Sequence, residues 1–308
     1  MNEARVAAID IGTNAVRLIV AEVGGTDGYR VLTDEREQTR LGLRLDETGR
    51  IAPESRSATL DALERMKQTA EGFGIIELRA VATAALREAE NGPEFVEASR
   101  DRCGLEIEVI SAEEEAELAM RSVRERFPLG AHPAVIVDIG GGSMEILFVT
   151  AGTVSEIHSL PVGAVRMTER FVHSDPIDAA DLRSLRDEID RELSAIATPP
   201  YPTPTMIGSG GTFPTIAALA MQDQRGETGS VQGYAMSRSE FEHQVGRLRE
   251  APLVLRRHML GLNEDRADII LAGATVIESL AHYLDVSRIW INERGIRDGV
   301  VLEMISRL

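Results

Sequence analysis

The sequence predicts an α/β protein built from two related halves, and three observations carry that prediction. Ala134 to Val149 (AVIVDIGGGSMEILFV) is an apolar run ending in an acid, then a glycine turn, then a second apolar run. Ala8 to Val20 (AIDIGTNAVRLIV) repeats the pattern at an offset of 128 residues: Asp10 falls on Asp138, Gly12 on Gly140, Asn14 on Gly142 and Arg17 on Glu145. Stretches with helical spacing follow the strands in both halves. Apolar runs of about four to eight residues bounded by turn residues read as buried strands, so each copy is strand, tight turn, strand. Hairpins first and crossovers later imply mixed sheets.

The first half reads in order as strands over 5–11, 15–23 and 29–37, with turns at Gly12–Asn14 and Gly24–Gly28. A loop over 38–50 follows, then a helix from Pro53 to about Gly72 on Leu60, Leu63 and Met66, stopped by Gly72 and Gly74. Leu78–Ala82 is a short buried strand delivering Thr83 and a helical turn that carries Arg87. Gly92-Pro93 opens a helix ending near Cys103-Gly104, strand Glu106–Ile110 runs into Ser111, and a helix occupies about 112–127. Pro128-Leu129-Gly130 is the best boundary, giving domains 1–127 and 128–308.

The second half opens with the central hairpin and a strand over 154–160. Helices follow at about 163–171 and 177–197, and the run Thr198–Pro204 is a rigid extended connector. Next come a short strand into Gly208–Thr212, a helix over 213–221, and a polar loop over 222–233 that reads as mobile. Ser237 and Glu240 make a capping box. Asn263 caps an apolar helix over 265–284, and a strand over 288–291, a turn at Arg294-Gly295 and a last helix close the chain.

At 308 residues each half can bury a core, and 43% hydrophobic with 27% charged residues is a globular balance rather than a disordered one. The single cysteine, Cys103, excludes an internal disulfide and a cysteine-based zinc site. Met1 to Arg5 leads straight into a strand, and no apolar run approaches the ~20 residues of a membrane span. A cytoplasmic protein without membrane contact is expected. The net charge of −17 argues against nucleic acid as a partner. A polyanionic substrate would need arginine and a divalent cation, and Lys67 is the sole lysine.

The chemistry concentrates at three glycine loops. Gly140, Gly141, Gly142 and Ser143 leave backbone N–H groups uncovered for a phosphate, as do Gly12, Thr13 and Asn14. Gly208, Ser209, Gly210, Gly211 and Thr212 form the third, at the start of a helix. Each alone also reads as an ordinary turn; three together favour phosphate chemistry. Asp138 at a strand end can hold Mg²⁺ or orient water beside such a loop. Arg17 and Glu145 are unexpected inside apolar strands unless they meet substrate or metal. Ser111 with Glu114 accounts for a capping box and leaves Glu115 unexplained, so Glu115 is a candidate base. Arg87, Arg294 and Arg297 can face phosphate or solvent. The six histidines show no metal-ligand spacing.

Together these stretches resemble the Ppx/GppA family of exopolyphosphatases and guanosine pentaphosphate phosphohydrolases. The resemblance rests on AAIDIGTNAVRLIVAEV at 7–23, VATAALREAEN at 81–91, VISAEEEAEL at 109–118, VDIGGGSMEI at 137–146, GSGGT at 208–212 and RGIRDGVV at 294–301. It implies a duplicated actin-like, ribonuclease-H-like fold with a cleft between two domains, and a homodimer. It also implies Glu115 as the base acting on water, with Asp138 and Glu145 placing Mg²⁺ and water. Asp10 is a third metal-ligand expectation. The loops, Arg17, Arg87 and Arg297 are the expected phosphate ligands. Met144 stands where the family commonly has threonine. The sequence lacks the C-terminal helical domains of many members, so short chains are the expected substrates.

The expected activity is Mg²⁺-dependent hydrolysis of a terminal phosphoanhydride of inorganic polyphosphate. Guanosine pentaphosphate is the alternative substrate, a non-catalytic polyphosphate or alarmone sensor the alternative function, and a kinase of the same superfamily a third reading.

Overall fold

The computed structural model describes residues 4–24, 28–127, 129–130, 133–199, 205–226 and 229–308. Most of the expected turn at Gly24–Gly28, Pro128 of the boundary turn and most of the proline-rich run lie outside them. The chain divides into two units, Met1–Glu125 with Gly295–Leu308, and Arg126–Arg294.

The first unit begins with β1 (Arg5–Ile11), β2 (Val16–Val23) and β3 (Tyr29–Glu37), an antiparallel meander. A short helix α1 (Leu45–Thr48) precedes α2 (Pro53–Gly72), which starts on Pro53, where the missing N–H costs nothing. Then come β4 (Glu77–Ala82), α3 (Ala84–Glu88), α4 (Gly92–Cys103), β5 (Ile107–Val109) and α5 (Ala112–Arg124). The sheet order is β3-β2-β1-β4-β5, with β4 and β5 parallel to β1.

The second unit repeats this plan. Strands β6 (Ala134–Ile139), β7 (Met144–Thr150) and β8 (Thr153–Leu160) form the meander, followed by α6 (Ala164–Phe171) and α7 (Ala179–Leu193). Next are β9 (Thr205–Gly210), α8 (Thr212–Arg225), β10 (Ala235–Ser237), α9 (Arg238–Glu250), α10 (Leu253–Arg256), α11 (Ile270–Tyr283) and β11 (Arg288–Ile291). Its order is β10-β11-β9-β6-β7-β8. The last helix, α12 (Ile296–Ile305), belongs to the first unit.

Two mixed sheets that share a five-strand order with parallel crossovers, the second extended by the antiparallel edge strand β10, are the duplicated actin-like, ribonuclease-H-like fold. The duplication is kept at the level of register. Ala7 faces Val20 and Leu78 in one sheet, and Val135 faces Phe148 and Met206 in the other, each at the 128-residue offset.

Period-two alternation sorts the first sheet into two apolar faces. Ala7, Ile9, Ile11, Val16 and Leu18 pack with α2 and α4 residues such as Leu63, Met66 and Phe95. Val6, Ala8 and Ile19 pack with Leu118 of α5 and Val300, Val301 and Met304 of α12. Burying each such side chain contributes about 1.5–3 kcal/mol. Asp10 and Arg17 therefore share the face covered by α5 and α12. This burial also explains why α12 departs from the sequence boundary: its apolar stripe completes the first sheet. Tyr29 Oη donates to Asp298 Oδ1 at 2.5 Å, both groups buried.

Smaller differences have local causes. The stretch expected as a loop over 222–233 is helical up to Arg225, where Gly226 takes the left-handed conformation. Strand β10 follows it, too short to read from pattern. Asn263 caps a 3-10 turn, Glu264–Arg266, and α11 starts only at Ile270. Among the described residues no helix is long and apolar enough to cross a membrane.

Candidate functional site

In the first unit the expected residues collect at the carboxyl ends of β1, β4 and β5. Gly12 N donates to Ala15 O at 3.1 Å, closing the first loop. The carbonyls of Thr13 and Asn14 accept from Gly42 N (2.9 Å) and Arg40 N (3.0 Å), so the segment after β3 supports the loop from behind. Thr13 and Asn14 are buried, and Asn14 Nδ2 is a buried donor with no hydrogen-bond partner among the described residues. Such a donor is costly unless a water or ligand oxygen meets it.

Asp10 and Arg17 are directly opposed across β1 and β2. Burial is the largest influence on Asp10 and raises its carboxyl above the ordinary range, while Arg17 and then Arg297 act in the lowering direction. Arg17 and Arg297 are thus among its charged neighbours. Arg297 donates to Leu18 O at 3.1 Å and grips Asp34 through two bonds of 2.6 and 2.9 Å. Burial, the largest single influence, acts to lower its pKa, and the Asp34, Asp298 and Asp10 carboxylates together more than offset it, so the pKa is raised. The Arg297 fork is engaged in joining α12 to the β2–β3 hairpin, which leaves it poorly placed as the expected phosphate ligand.

The capping box of α5 is present: Glu114 N donates to Ser111 Oγ at 3.1 Å and Ser111 N to Glu114 Oε2 at 2.8 Å. Glu115 lies one residue on, 4% exposed. Arg87, from the short α3, donates Nη1 to Glu115 Oε2 at 3.0 Å and to Ile110 O at 2.9 Å. Helix α3 itself follows Thr83, whose N donates to Ile11 O at 3.3 Å beside the first loop.

In the second unit Gly140 N donates to Ser143 O at 3.0 Å, the counterpart of the Gly12–Ala15 bond. Asp138 and Glu145, both buried, are directly opposed across β6 and β7, and Ser159 Oγ donates to Glu145 Oε1 at 2.9 Å. Two carboxylates on one face are the hard oxygen donor set a Mg²⁺ takes alongside waters and phosphate. The carbonyls of Gly140, Gly141 and Gly142 accept from Ala164, Val165, Arg166 and Gly163. Gly163 is obligatory there, because a Cβ on it would meet the Gly141 carbonyl carbon at 2.4 Å.

The third loop is only partly as expected. Ser209 is fully buried and donates to Val137 O at 3.4 Å, Gly208 is pressed against the Phe213 ring, and Thr212 is buried. These three pack the strand-to-helix joint, leaving Gly210 and Gly211 as the half-exposed part. Gly210, at φ +85°, lies against Asp138: a Cβ there would stand 2.8 Å from Asp138 Oδ1. The guanidinium of Arg266 occupies the space a Gly211 side chain would need. Sequence reasoning missed Arg266, which it placed inside an apolar helix. Its partner loop is more than fifty positions away, and only the absent side chain of Gly211 hints at it. Ser159 was missed because its contact with Glu145 depends on the register of β7 against β8.

A duplicated actin-like fold with glycine loops closed alike in both units, and acids at the strand ends, defines a class of phosphate-handling proteins. The chain belongs to the Ppx/GppA phosphatase family, whose model matches residues 18–308. It is 33% identical over 314 residues to exopolyphosphatase 2 of Mycobacterium tuberculosis, covering 97% of this chain and 98% of that one. It is 27% identical to exopolyphosphatase 1 of Mycobacterium bovis, covering 98% and 88%. Among solved structures it resembles the Aquifex aeolicus Ppx/GppA family member (31% identity, TM-score 0.82, 99% and 98% covered). It also resembles an exopolyphosphatase from Cytophaga hutchinsonii (25% identity, TM-score 0.91, 99% and 98% covered). At the level of the family, these relatives support polyphosphate hydrolysis and a hydrolase.

Proposed function

We propose that this protein is an exopolyphosphatase that releases terminal phosphate from inorganic polyphosphate, with short chains preferred. The observation that carries the reading is Glu115. The cap of α5 is complete without it, yet its carboxylate is buried and held by an arginine. A buried acid that the fold does not require, at the parallel-strand ends beside a glycine loop, is a general base in waiting.

In this reading a Glu115 carboxylate oxygen takes a proton from the water that attacks the terminal phosphorus. In the first unit the backbone N–H groups of 13–14, with Arg17 and Arg87, bind non-bridging oxygens and offset their charge, where most of the rate enhancement for phosphoryl transfer arises; in the second unit the N–H groups of 141–143 and 210–211, with Arg266, offer the same kind of ligation. Asp138 and Glu145 would hold Mg²⁺, which when bound supplies charge neutralisation at the phosphate.

The test is phosphate release with Mg²⁺ from short polyphosphate, long polyphosphate, guanosine pentaphosphate and ATP, wild type beside Glu115→Ala. Release from polyphosphate that falls by about 10²–10⁴ in the variant is expected. Release from guanosine pentaphosphate alone would move the protein to the alarmone branch. Binding of polyphosphate without release would make it a sensor.

A further inference from the structure

We propose that Thr83 is a catalytic residue that orients the attacking water, its hydroxyl holding that water beside Glu115. This rests on the exopolyphosphatase reading above. Thr83 is the N-cap of α3, a position where a threonine oxygen ordinarily accepts from the first turn of the helix. Here it makes no cap bond. Ser111, Asp178, Ser237 and Asn263 all cap the helical segments they open. Asn91, the N-cap of α4, does not, but its amide is bonded to Ile51 N (2.8 Å) and Ile51 O (3.0 Å). The Thr83 hydroxyl has no hydrogen-bond partner among the described residues, although Thr83 is only 5% exposed. A buried hydroxyl with nothing to bond is costly, so a polar ligand belongs there.

Its place in the sheet brings that hydroxyl to the base. Thr83 N donates to Ile11 O at 3.3 Å, so Thr83 extends β4 beside β1 by one residue, to the level of Gly12. Side chains alternate along a strand. Thr83 therefore continues the face that holds Val81 and Asp10, which α5 covers through Leu118. Glu115 is on α5, and Ile110 N donates to Ala82 O at 3.0 Å, pinning the start of that helix to β4. Arg87 N donates to Thr83 O at 3.1 Å while its guanidinium holds Glu115. The hydroxyl thus lies between the first glycine loop and the carboxylate. A water there gives one hydrogen to Glu115 and the other to Thr83 Oγ1, which turns an oxygen lone pair towards the terminal phosphorus. As the new P–O bond forms and the bridging P–O bond breaks, the proton passes to Glu115 and Thr83 keeps its own.

The test uses the full chain with tripolyphosphate and Mg²⁺, reading kcat, KM and the urea midpoint. Thr83→Val keeps the branched shape without the hydroxyl and is expected to lower kcat by about 10²-fold, with KM little changed. Thr83→Ser should bring most of kcat back. The urea midpoint of Thr83→Val should match wild type, because no bond within the fold is lost. In a Glu115→Ala background Thr83→Val should remove no further kcat, since both groups act on one water. With wild type active, the proposal is overturned if Thr83→Val keeps full kcat, if it raises KM alone, or if its loss of kcat multiplies with that of Glu115→Ala. A midpoint that falls as the loss of a helix cap would make it fall overturns it too. A wild type that releases no phosphate overturns the exopolyphosphatase reading, and the inference with it.

Discussion

Asp138 and Glu145 face each other across the β6–β7 hairpin, on one side of the sheet and both buried, where the first unit sets Asp10 opposite Arg17. The same two backbone positions thus hold an acid with a base in one unit and two acids in the other. The first arrangement carries its own counter-charge. The second offers oxygen ligands to a cation.

Magnesium should therefore act on stability as well as activity. At about one hundred times its dissociation constant a ligand adds roughly 2.7 kcal/mol. Wild type is expected to melt at a higher temperature with Mg²⁺ than with a chelator, and Asp138→Asn or Glu145→Gln to lose that increment. Equal increments in wild type and both variants would remove these residues from the metal site.

The glycines beneath the loops should not be equivalent. A Cβ at Gly163 meets the backbone of Gly141 at 2.4 Å, whereas one at Gly42 meets the Thr13 methyl at 2.3 Å. Backbone cannot turn aside and a side-chain rotamer can. Gly163→Ala should cost about 1–3 kcal/mol in urea denaturation and depress phosphate release, with Gly42→Ala milder in both. The reverse order would contradict the loop support described here.

The Asp10 carboxyl gives a pH signature. Burial, its largest influence, holds it above the ordinary aspartate value of 3.8 despite Arg17 and Arg297. Its ionised form therefore destabilises the fold at neutral pH, and that cost is relieved as pH falls through the raised folded value. Wild type should gain stability relative to Asp10→Asn on going from neutral pH down towards 4. Parallel melting curves across that range would show that Asp10 titrates normally.

Tyr29→Phe removes the 2.5 Å bond to Asp298 and takes one donor from a buried carboxylate. Unfolding free energy should drop by about 1–3 kcal/mol, with kcat unchanged. A silent substitution would mean that the apolar stripe and the Arg297–Asp34 pair dock α12 without this bond.

The sequence made most of this legible because the information is local. Strand ends at Asp10 and Asp138, the Ser111–Glu114 box and the loop glycines are set by neighbouring residues, and the 128-residue repeat cross-checks them. What escaped depends on strand register and on partners distant in the chain. Arg266 meets Gly211, Ser159 meets Glu145, and Arg297 is occupied by Asp34, none of which any periodicity records. Ser209 reads as a ligand because it lies in a glycine loop at the start of a helix, but its hydroxyl is turned into the sheet. The last helix was assigned by position in the chain, whereas burial against β1 and α5 decides where it packs.

That docking has a consequence for biosynthesis. Because 295–308 complete a unit begun by the residues up to Glu125, residues 126–294 are an insertion from the ribosome's point of view. The inserted unit has its whole sequence once Arg294 has emerged. The first unit, though begun earlier, waits with the apolar side of α5 uncovered until 295–308 have emerged. Nascent chains halted before Gly295 should therefore bind chaperones through that helix, and the proposed base would reach its working position only once 295–308 have docked.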